Sequence, residues 1–395
     1  MNISLPNDVD FILDKLQENG FSAYIVGGCV RDALLSKTPT DWDICTNALP
    51  DETIKVFSDY RIIKTGIKHG TITLIINSIS YEITTFRTDG DYLDSRHPEN
   101  VEYIKTIDGD LARRDFTVNA MAYNKKIVDL YDGQKDLKNR IIRCVGDANT
   151  RFSEDALRIM RAIRFSAVLD FEIEEKTKCA IFSLKENLLN IAMERINTEF
   201  SKILLSDSKT VWFEYREIFE LFLENSKYLN FDFGNALAML PKDLTTRLSH
   251  LLLNLNYTIA QAKRTLLNLR YPSKIINEVI EIIENFEGTK YQSIKDMRLS
   301  LSKISETSLI SIIQIKNKDI EKSLEMLSQI KSENLCYRLS HLDISGDDLI
   351  KKGFKNGELI GKILKELLYL VIDEKTENSK VSLLEKAEEL LEELK

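Results

Sequence analysis

Cysteine is scarce in this chain and poorly arranged for cross-linking. Cys29, Cys45, Cys144, Cys179 and Cys336 are odd in number, widely spaced and without a CxxC. That pattern argues against a disulfide framework and against a zinc site, and it points to a reducing, cytoplasmic setting. Histidine is scarcer, with four residues (His69, His97, His250, His341) and no His-Asp dyad. A phosphohydrolase centre built on such a dyad is thereby excluded. His97, with no His or Cys beside it, is not expected to bind metal. No apolar run approaches the ~18 residues a membrane span needs. The longest, over residues 248–255, is interrupted by polar side chains and reads as buried helix. The N-terminal stretch has acids and no basic-then-apolar order, so neither a secretory leader nor a transit peptide is expected. Only two prolines, Pro241 and Pro272, interrupt the chain beyond residue 153, which leaves that part free to run as helix.

What is present is ample for folding. With 395 residues, 43% of them hydrophobic, the chain has material for two to four domains with real cores. The net charge of −8 is awkward for a nucleic-acid partner, but charge is patterned. Residues 140–164 carry six arginines against three acids, and residues 373–395 carry eight acids against four lysines. A basic middle is compatible with an RNA-binding groove on an acidic protein.

The first 145 residues alternate helix and strand signals. Residues 8–17 read as an amphipathic helix ended by Gly20, and residues 23–26 as a strand entering Gly27-Gly28. A short helix follows over 30–35. Residues 40–45, 71–76 and 81–86 read as strands, the last two joined at Asn77-Ser78 as a hairpin. Beyond about residue 153 the apolar period is helical. Breaks are expected at 229–235, 271–273, 287–290 and 343–347. The expected fold is α+β, a mixed-sheet head followed by helices.

The chemistry begins at Asp41-Trp42-Asp43 in TDWDICT. On a strand, residues i and i+2 face the same way, so the two carboxylates would project together. Such a pair can hold Mg²⁺, with phosphate oxygens completing the shell, and a two-metal clamp serves nucleotidyl transfer. Glu82, on the strand YEITTF, is the candidate third carboxylate. Alone, DxD is more often a solvated surface pair. Here Gly27-Gly28, then Arg31-Asp32, precede it, with Gly28 thirteen residues ahead of Asp41. A Gly-Gly turn between strand and helix brings backbone N–H groups to phosphate, and Arg31 can clamp phosphate bidentately. This order resembles that of the polymerase-beta-like nucleotidyltransferases.

The resemblance sharpens with IVGGCVRDALL, TDWDICTNA, RRDFTVNAMAY (113–123), YDGQKDL (131–137) and RFSEDALRIMRAIRF (151–165). In this order they resemble the class II CCA-adding enzymes and their relatives, the bacterial poly(A) polymerases. The likeness continues through MERINTEFSKILL (193–205) and into residues 342–368. It implies a catalytic head over 1–145, a helical neck with the nucleotide-selecting helix over 146–205, a body over 206–290 and a tRNA-binding tail over 291–395. It implies Mg²⁺ at Asp41 and Asp43, CTP and ATP as substrates, and the tRNA 3′ end, its acceptor and T-arm minihelix, as partner, with no membrane, zinc or DNA. Gly28 and Arg31 match triphosphate contacts. Arg113, Arg114 and Asp115 of RRDF match contacts to the incoming nucleotide and its ribose, with the direct contact left open between the two arginines.

Read as one helix, EDALRIMRAIRF puts Ala156, Ile159, Met160 and Ile163 on one arc and Glu154, Asp155, Arg158 and Arg161 on the other. Asp155 and Arg158 are then i, i+3 neighbours, which on an ordinary helix would mean a solvated salt bridge. The resemblance implies instead that the pair reads the base. Cytosine and adenine both offer an amino donor beside a ring-nitrogen acceptor, which suits a carboxylate next to a guanidinium. Uracil and guanine would leave polar groups unpaired, at roughly 1–3 kcal/mol each. Arg161 and Arg164 are implicated in holding phosphate or stacking on the base, although Arg164 lies off the polar arc. Residues 86–103 resemble the flexible loop of enzymes that add A, against a CC-only activity. Lys351, Lys352 and Lys355, beside Gly353 and Gly357, are either a solvated helix start or contacts to RNA phosphate. The other activities compatible with these motifs are A addition alone, poly(A) synthesis, and RNA binding without catalysis.

Overall fold

The computed structural model describes residues 3–89, 101–354 and 357–393. It divides into two compact units, Met1–Ala238 and Met239–Lys395.

The first unit opens with α1 (Asn7–Glu18), whose buried Val9, Ile12, Leu13 and Leu16 follow the helical repeat. Gly20 turns the chain at φ +86° into β1 (Ala23–Val26). Then come α2 (Gly28–Leu34), β2 (Ile44–Thr46), α3 (Pro50–Val56), β3 (Arg61–Ile63), β4 (Thr71–Ile76) and β5 (Ile79–Thr85). Asn77 and Ser78 join β4 to β5 as expected, both at positive φ (49° and 67°), the geometry of a two-residue turn matched to strand twist. A small ladder of β6 (Arg87–Asp89) with β7 (Val101–Tyr103) and α4 (Ile107–Ala112) follow. Next are β8 (Met121–Asn124), β9 (Lys126–Asp129), α5 (Gly133–Asn139) and β10 (Ile141–Ile142).

The main sheet runs β3-β4-β5-β2-β1-β8-β9. It is mixed: β2 lies parallel to β5, Ile44 opposite Ile83, and its other pairings are antiparallel. Val26, Cys45, Phe86, Leu111 and Ala122 pack in one core cluster beneath it. The chain then turns helical, with α6 (Ala148–Glu154), α7 (Leu157–Leu169), the two-residue β11 (Glu172–Ile173), α8 (Glu175–Leu184), α9 (Met193–Leu204), α10 (Val211–Glu214), α11 (Arg216–Phe219) and α12 (Phe231–Met239). The heads of α10 and α12 close an aromatic core in which Trp212 meets Phe200, Phe219 and Phe233.

The second unit is helical throughout its described residues: α13 (Leu244–Asn254), α14 (Ile259–Asn268), α15 (Ser273–Asn285), α16 (Ile294–Leu301), α17 (Glu306–Lys316), α18 (Ile320–Ser332), α19 (Gly346–Lys351), α20 (Gly357–Ile372) and α21 (Lys380–Glu393). One core cluster gathers Ile282, Met297, Leu309 and Ile312, and another Leu349, Ile363, Leu367 and Leu383.

Two expectations change. The strand read over 40–45 begins only at Ile44, so Asp41 and Asp43 stand in the irregular segment just before β2. The break expected at 229–235 is mostly helix, since α12 starts at Phe231. Of the expected loop 86–103, residues 90–100, including His97, lie outside the described residues. So does Lys355; Lys352 pairs with Glu388 at 3.2 Å.

Candidate active site

The approach to β2 delivers its carboxylates to the turn after β1. Val26 N–H donates to the Asp43 carbonyl at 3.0 Å, which ties the two segments together. Gly27 sits at φ 76°, ψ −129°, a conformation open only to glycine. A Cβ there would come within 2.8 Å of Arg114 Nη1. The positive φ is what requires glycine at position 27.

A cleft of about 430 Å³ opens at this turn, lined by Gly27, Gly28, Arg31, Asp41, Asp43, Arg114, Asp115, Arg161, Arg164, Phe165 and Lys202 among others. Asp41 and Asp43 have exposed surface and reach into it. Burial within the cleft nonetheless holds the Asp43 carboxyl above its ordinary range; Arg114 opposes this and Asp41 adds to it. Two carboxylates that repel one another at the mouth of a cleft call for a cation. Glu82 stands exposed on β5 across from Thr73 and does not line the cleft. Among the described residues no three His, Cys, Asp or Glu side chains gather as a metal-holding group.

Arginine density is managed by buried carboxylates. Asp110, fully buried on α4, accepts from Arg113 Nη2 at 2.7 Å and from Arg114 Nη2 at 3.0 Å. Burial would raise the Asp110 carboxyl, but Arg114 and Arg113 outweigh it and hold it below the usual range. Asp115 is paired with Arg161, whose Nη2 lies 2.6 Å from Oδ2, and takes the Phe116 N–H on Oδ1 at 2.9 Å. Against its burial, Arg161 keeps it too below the usual range. Arg31 donates to Asn119 Oδ1 at 2.7 Å and to Asp32 at 2.8 Å. The guanidinium groups of Arg31, Arg161 and Arg164 converge on the Phe165 ring, at 5.2, 5.5 and 3.7 Å from its centroid. Arg164, off the polar arc by periodicity, is brought into the cleft by this stacking and by its ion pair with Glu199.

A second hollow of about 300 Å³ shares Arg114, Asp115 and Arg161 with the first and adds Arg113, Asp155, Leu157, Arg158 and Arg195. Of the RRDF arginines, Arg113 lines only this second hollow, whereas Arg114 lines both. Here the single helix expected over EDALRIMRAIRF is corrected. It breaks at Asp155, which adopts φ −140°, ψ 102° between α6 and α7. The expected i, i+3 relation therefore does not hold on one helix. Arg158, buried, pairs with Glu154 and donates to the carbonyls of Arg151 (3.0 Å) and Arg113 (3.2 Å). Asp155 is held by Arg195 at 2.8 Å. Arg195, Glu199 and Lys202 all come from α9, within a segment recognised in the sequence but not resolved to residues there. Their i, i+4, i+7 spacing on a helix was the available signal. A larger hollow of about 710 Å³, lined by Arg143, Asp147, Lys176 and Cys179 among others, contains none of the candidate site residues read from the sequence.

A mixed sheet with a Gly-Gly turn, a paired carboxylate and an arginine-lined cleft defines a nucleotidyltransferase head. Family models agree in parts: the poly A polymerase head domain matches residues 23–143, the probable RNA and SrmB- binding site of polymerase A residues 170–217, and the putative tRNA nucleotidyltransferase domain 2 residues 242–387. The CCA-adding enzyme of Leuconostoc mesenteroides is 35% identical over 92% of both chains, and that of Lactobacillus delbrueckii subsp. bulgaricus 36% identical over 95% of both. The CCA-adding enzyme of Bacillus stearothermophilus in complex with CTP superposes with a TM-score of 0.81 at 26% identity, over 97% of each chain. The chain belongs to the CCA-adding enzyme family of tRNA nucleotidyltransferases.

Proposed function

We propose that this protein adds C, C and A to the 3′ end of tRNA, taking CTP and ATP as substrates without a nucleic-acid template. One observation carries the reading: the Asp41/Asp43 pair and the Asp155/Arg158 pair line two hollows joined through Arg114, Asp115 and Arg161. One nucleotide can thus present its phosphates to the first and its base to the second. Asp41 and Asp43 would hold Mg²⁺, which supplies activation of the attacking hydroxyl and neutralisation of the leaving pyrophosphate. Arg31, Arg161, Arg164 and Lys202 bind and orient the triphosphate, and the Gly27-Gly28 turn lets backbone approach it. Arg114 spans phosphate and base sides, and Asp115 is the acceptor for a ribose 2′-OH, preferring ribonucleotides. Asp155 accepts from the amino group of cytosine or adenine, while Arg158, fixed by Glu154, donates to the ring nitrogen. Glu82 has no part in this scheme. No helix among the described residues is long and apolar enough to cross a membrane, and all five cysteines are free, which fits work on tRNA in the cytoplasm.

The test is an extension assay with Mg²⁺ and tRNA transcripts ending at the discriminator base, in C, or in CC. Three-nucleotide extension of the first, requiring both CTP and ATP, is the expected result. A single A added only to the CC transcript would make it an A-adding enzyme, long A tails a poly(A) polymerase, and no extension an RNA-binding homologue.

A further inference from the structure

The residue that reads the base has no helix of its own to hold it. Asp155 lies in extended backbone between two helices, so its side chain is fixed only by what it bonds to. Within its own loop, Oδ1 accepts from the Leu157 N–H at 3.0 Å, a local Asx-type bond. The other anchor comes from forty residues away. Arg195 on α9 presents a fork to both oxygens, with Nη2 at 2.8 Å from Oδ2 and Nη1 at 3.4 Å from Oδ1. Neither side chain is fully enclosed, with 27% and 16% of their surfaces exposed, and both line the hollow that would receive the base.

Counting acceptor sites shows what this arrangement does. A carboxylate offers about four lone-pair sites. Leu157 and the two Arg195 donors take three, and the one that remains is on Oδ2. A clamped, charge-paired carboxylate can only accept. It therefore offers a single acceptor of fixed direction, suited to the amino group of cytosine or adenine. It has nothing to give the carbonyl oxygen that uracil and guanine place at the same point. The clamp belongs to a stripe on α9. One turn on, Glu199 pairs with Arg164 and, at 3.8 Å, with Arg161; Lys202 then lines the phosphate side of the cleft. One helix thus supports the base-reading and phosphate-holding ends together.

We infer that Arg195 is a specificity-determining positioning residue, which selects C and A over U and G by clamping Asp155 as a one-site acceptor. This rests on the proposed reading of Asp155 as the base-reading group. Without the fork, the carboxylate can rotate about its χ angles and meet either base edge, and the penalty against the wrong base shrinks.

The experiment measures kcat/KM for CTP, ATP, UTP and GTP singly on tRNA transcripts, for the native chain, Arg195→Gln and Arg195→Lys. The native chain should discriminate strongly between the two pairs. In R195Q, kcat/KM for CTP and ATP should fall more than for UTP and GTP, lowering the discrimination about ten-fold or more. R195K, which keeps the charge but loses the fork, should recover part of that ratio. An unchanged ratio in R195Q, whether all four nucleotides drop together or none does, overturns the inference and leaves Arg195 a structural ion pair. If R195Q does not fold, a native CTP:UTP ratio in R195K overturns it equally, because the fork is what is claimed. A native chain that extends tRNA without choosing between the pairs would fail the reading of Asp155 itself, a different result from failure of the clamp.

Discussion

Asp43 shows how a candidate site residue can weaken the fold that carries it. Its carboxyl is held above the ordinary range by burial and by Asp41, against the pull of Arg114. A carboxyl raised in the folded state binds protons more readily there than in the unfolded chain. Stability from this residue is therefore lost as pH rises from the ordinary carboxylate range through the folded value, and at neutral pH the whole cost is present. Asp43→Asn should abolish nucleotide addition while leaving the melting temperature unchanged or higher in metal-free buffer. Mg²⁺ should raise the melting temperature of the native chain and not of the variant, since ion binding to the folded state alone stabilises it. A variant that adds nucleotides normally would remove Asp43 from the metal assignment. The contrast is Asp110, fully enclosed between Arg113 and Arg114. Its carboxyl is held low, so its stabilisation is present at neutral pH and is lost as pH falls through the folded value. Asp110→Asn takes from two half-buried guanidinium groups the carboxylate charge they share. It should cost about 3–5 kcal/mol in urea unfolding at pH 7.

At the scale of elements, β1, β4, β5 and the β4–β5 hairpin were legible because alternation and Asn77-Ser78 are local signals, whereas β3, β8 and β9 of the same sheet were not read from the sequence. The glycine turn and the paired carboxylates were legible as residue types in order, though the strand under Asp41 and Asp43 was not: pairing with β1 and β5 begins only at Ile44. The break between α6 and α7 escaped periodicity for a physical reason. Asp155 can satisfy Leu157 N–H with its side chain, so the helix stops without glycine or proline to announce it. Arg195, Glu199 and Lys202 were hidden for another reason. Their partners are long-range, 40 residues away for Asp155 and 35 for Arg164, and the i, i+4, i+7 spacing alone does not distinguish such a stripe from a solvated face. The α7–α9 pair makes its own prediction. Glu199→Gln leaves Arg161 and Arg164 crowded around Phe165 without their shared acid. It should lower stability by about 2–4 kcal/mol in denaturant unfolding and raise KM for CTP and ATP together, with little change in their ratio to UTP. A selective loss of discrimination in this variant would mean that phosphate holding and base reading are not separable along α9.

At the scale of the molecule, two compact units with separate core clusters mean that unfolding need not be a single transition. His250 provides a handle on one of them. It lies buried on α13 in the second unit, beside Asn254, and burial pushes its imidazole down from 6.5 to about 4. The folded state thus holds His250 neutral where the unfolded chain would protonate it. Between these two values the unfolded state binds the extra proton, so stability falls as pH drops from 6.5 towards 4 and levels off below. The depression corresponds to about 3 kcal/mol at the acid end. The native chain should therefore lose about 2–3 kcal/mol of unfolding free energy from the second unit between pH 7.5 and 4.5. His250→Gln, whatever its starting stability, should lack that fall. Calorimetry across this range reads it directly: in the native chain the transition of the second unit should move down before that of the first, whose buried carboxylates Asp110 and Asp115 hold their protons off to lower pH. If the first unit melts earlier on mild acidification, or H250Q follows the native curve, His250 is not the group that limits the acid stability of the helical unit.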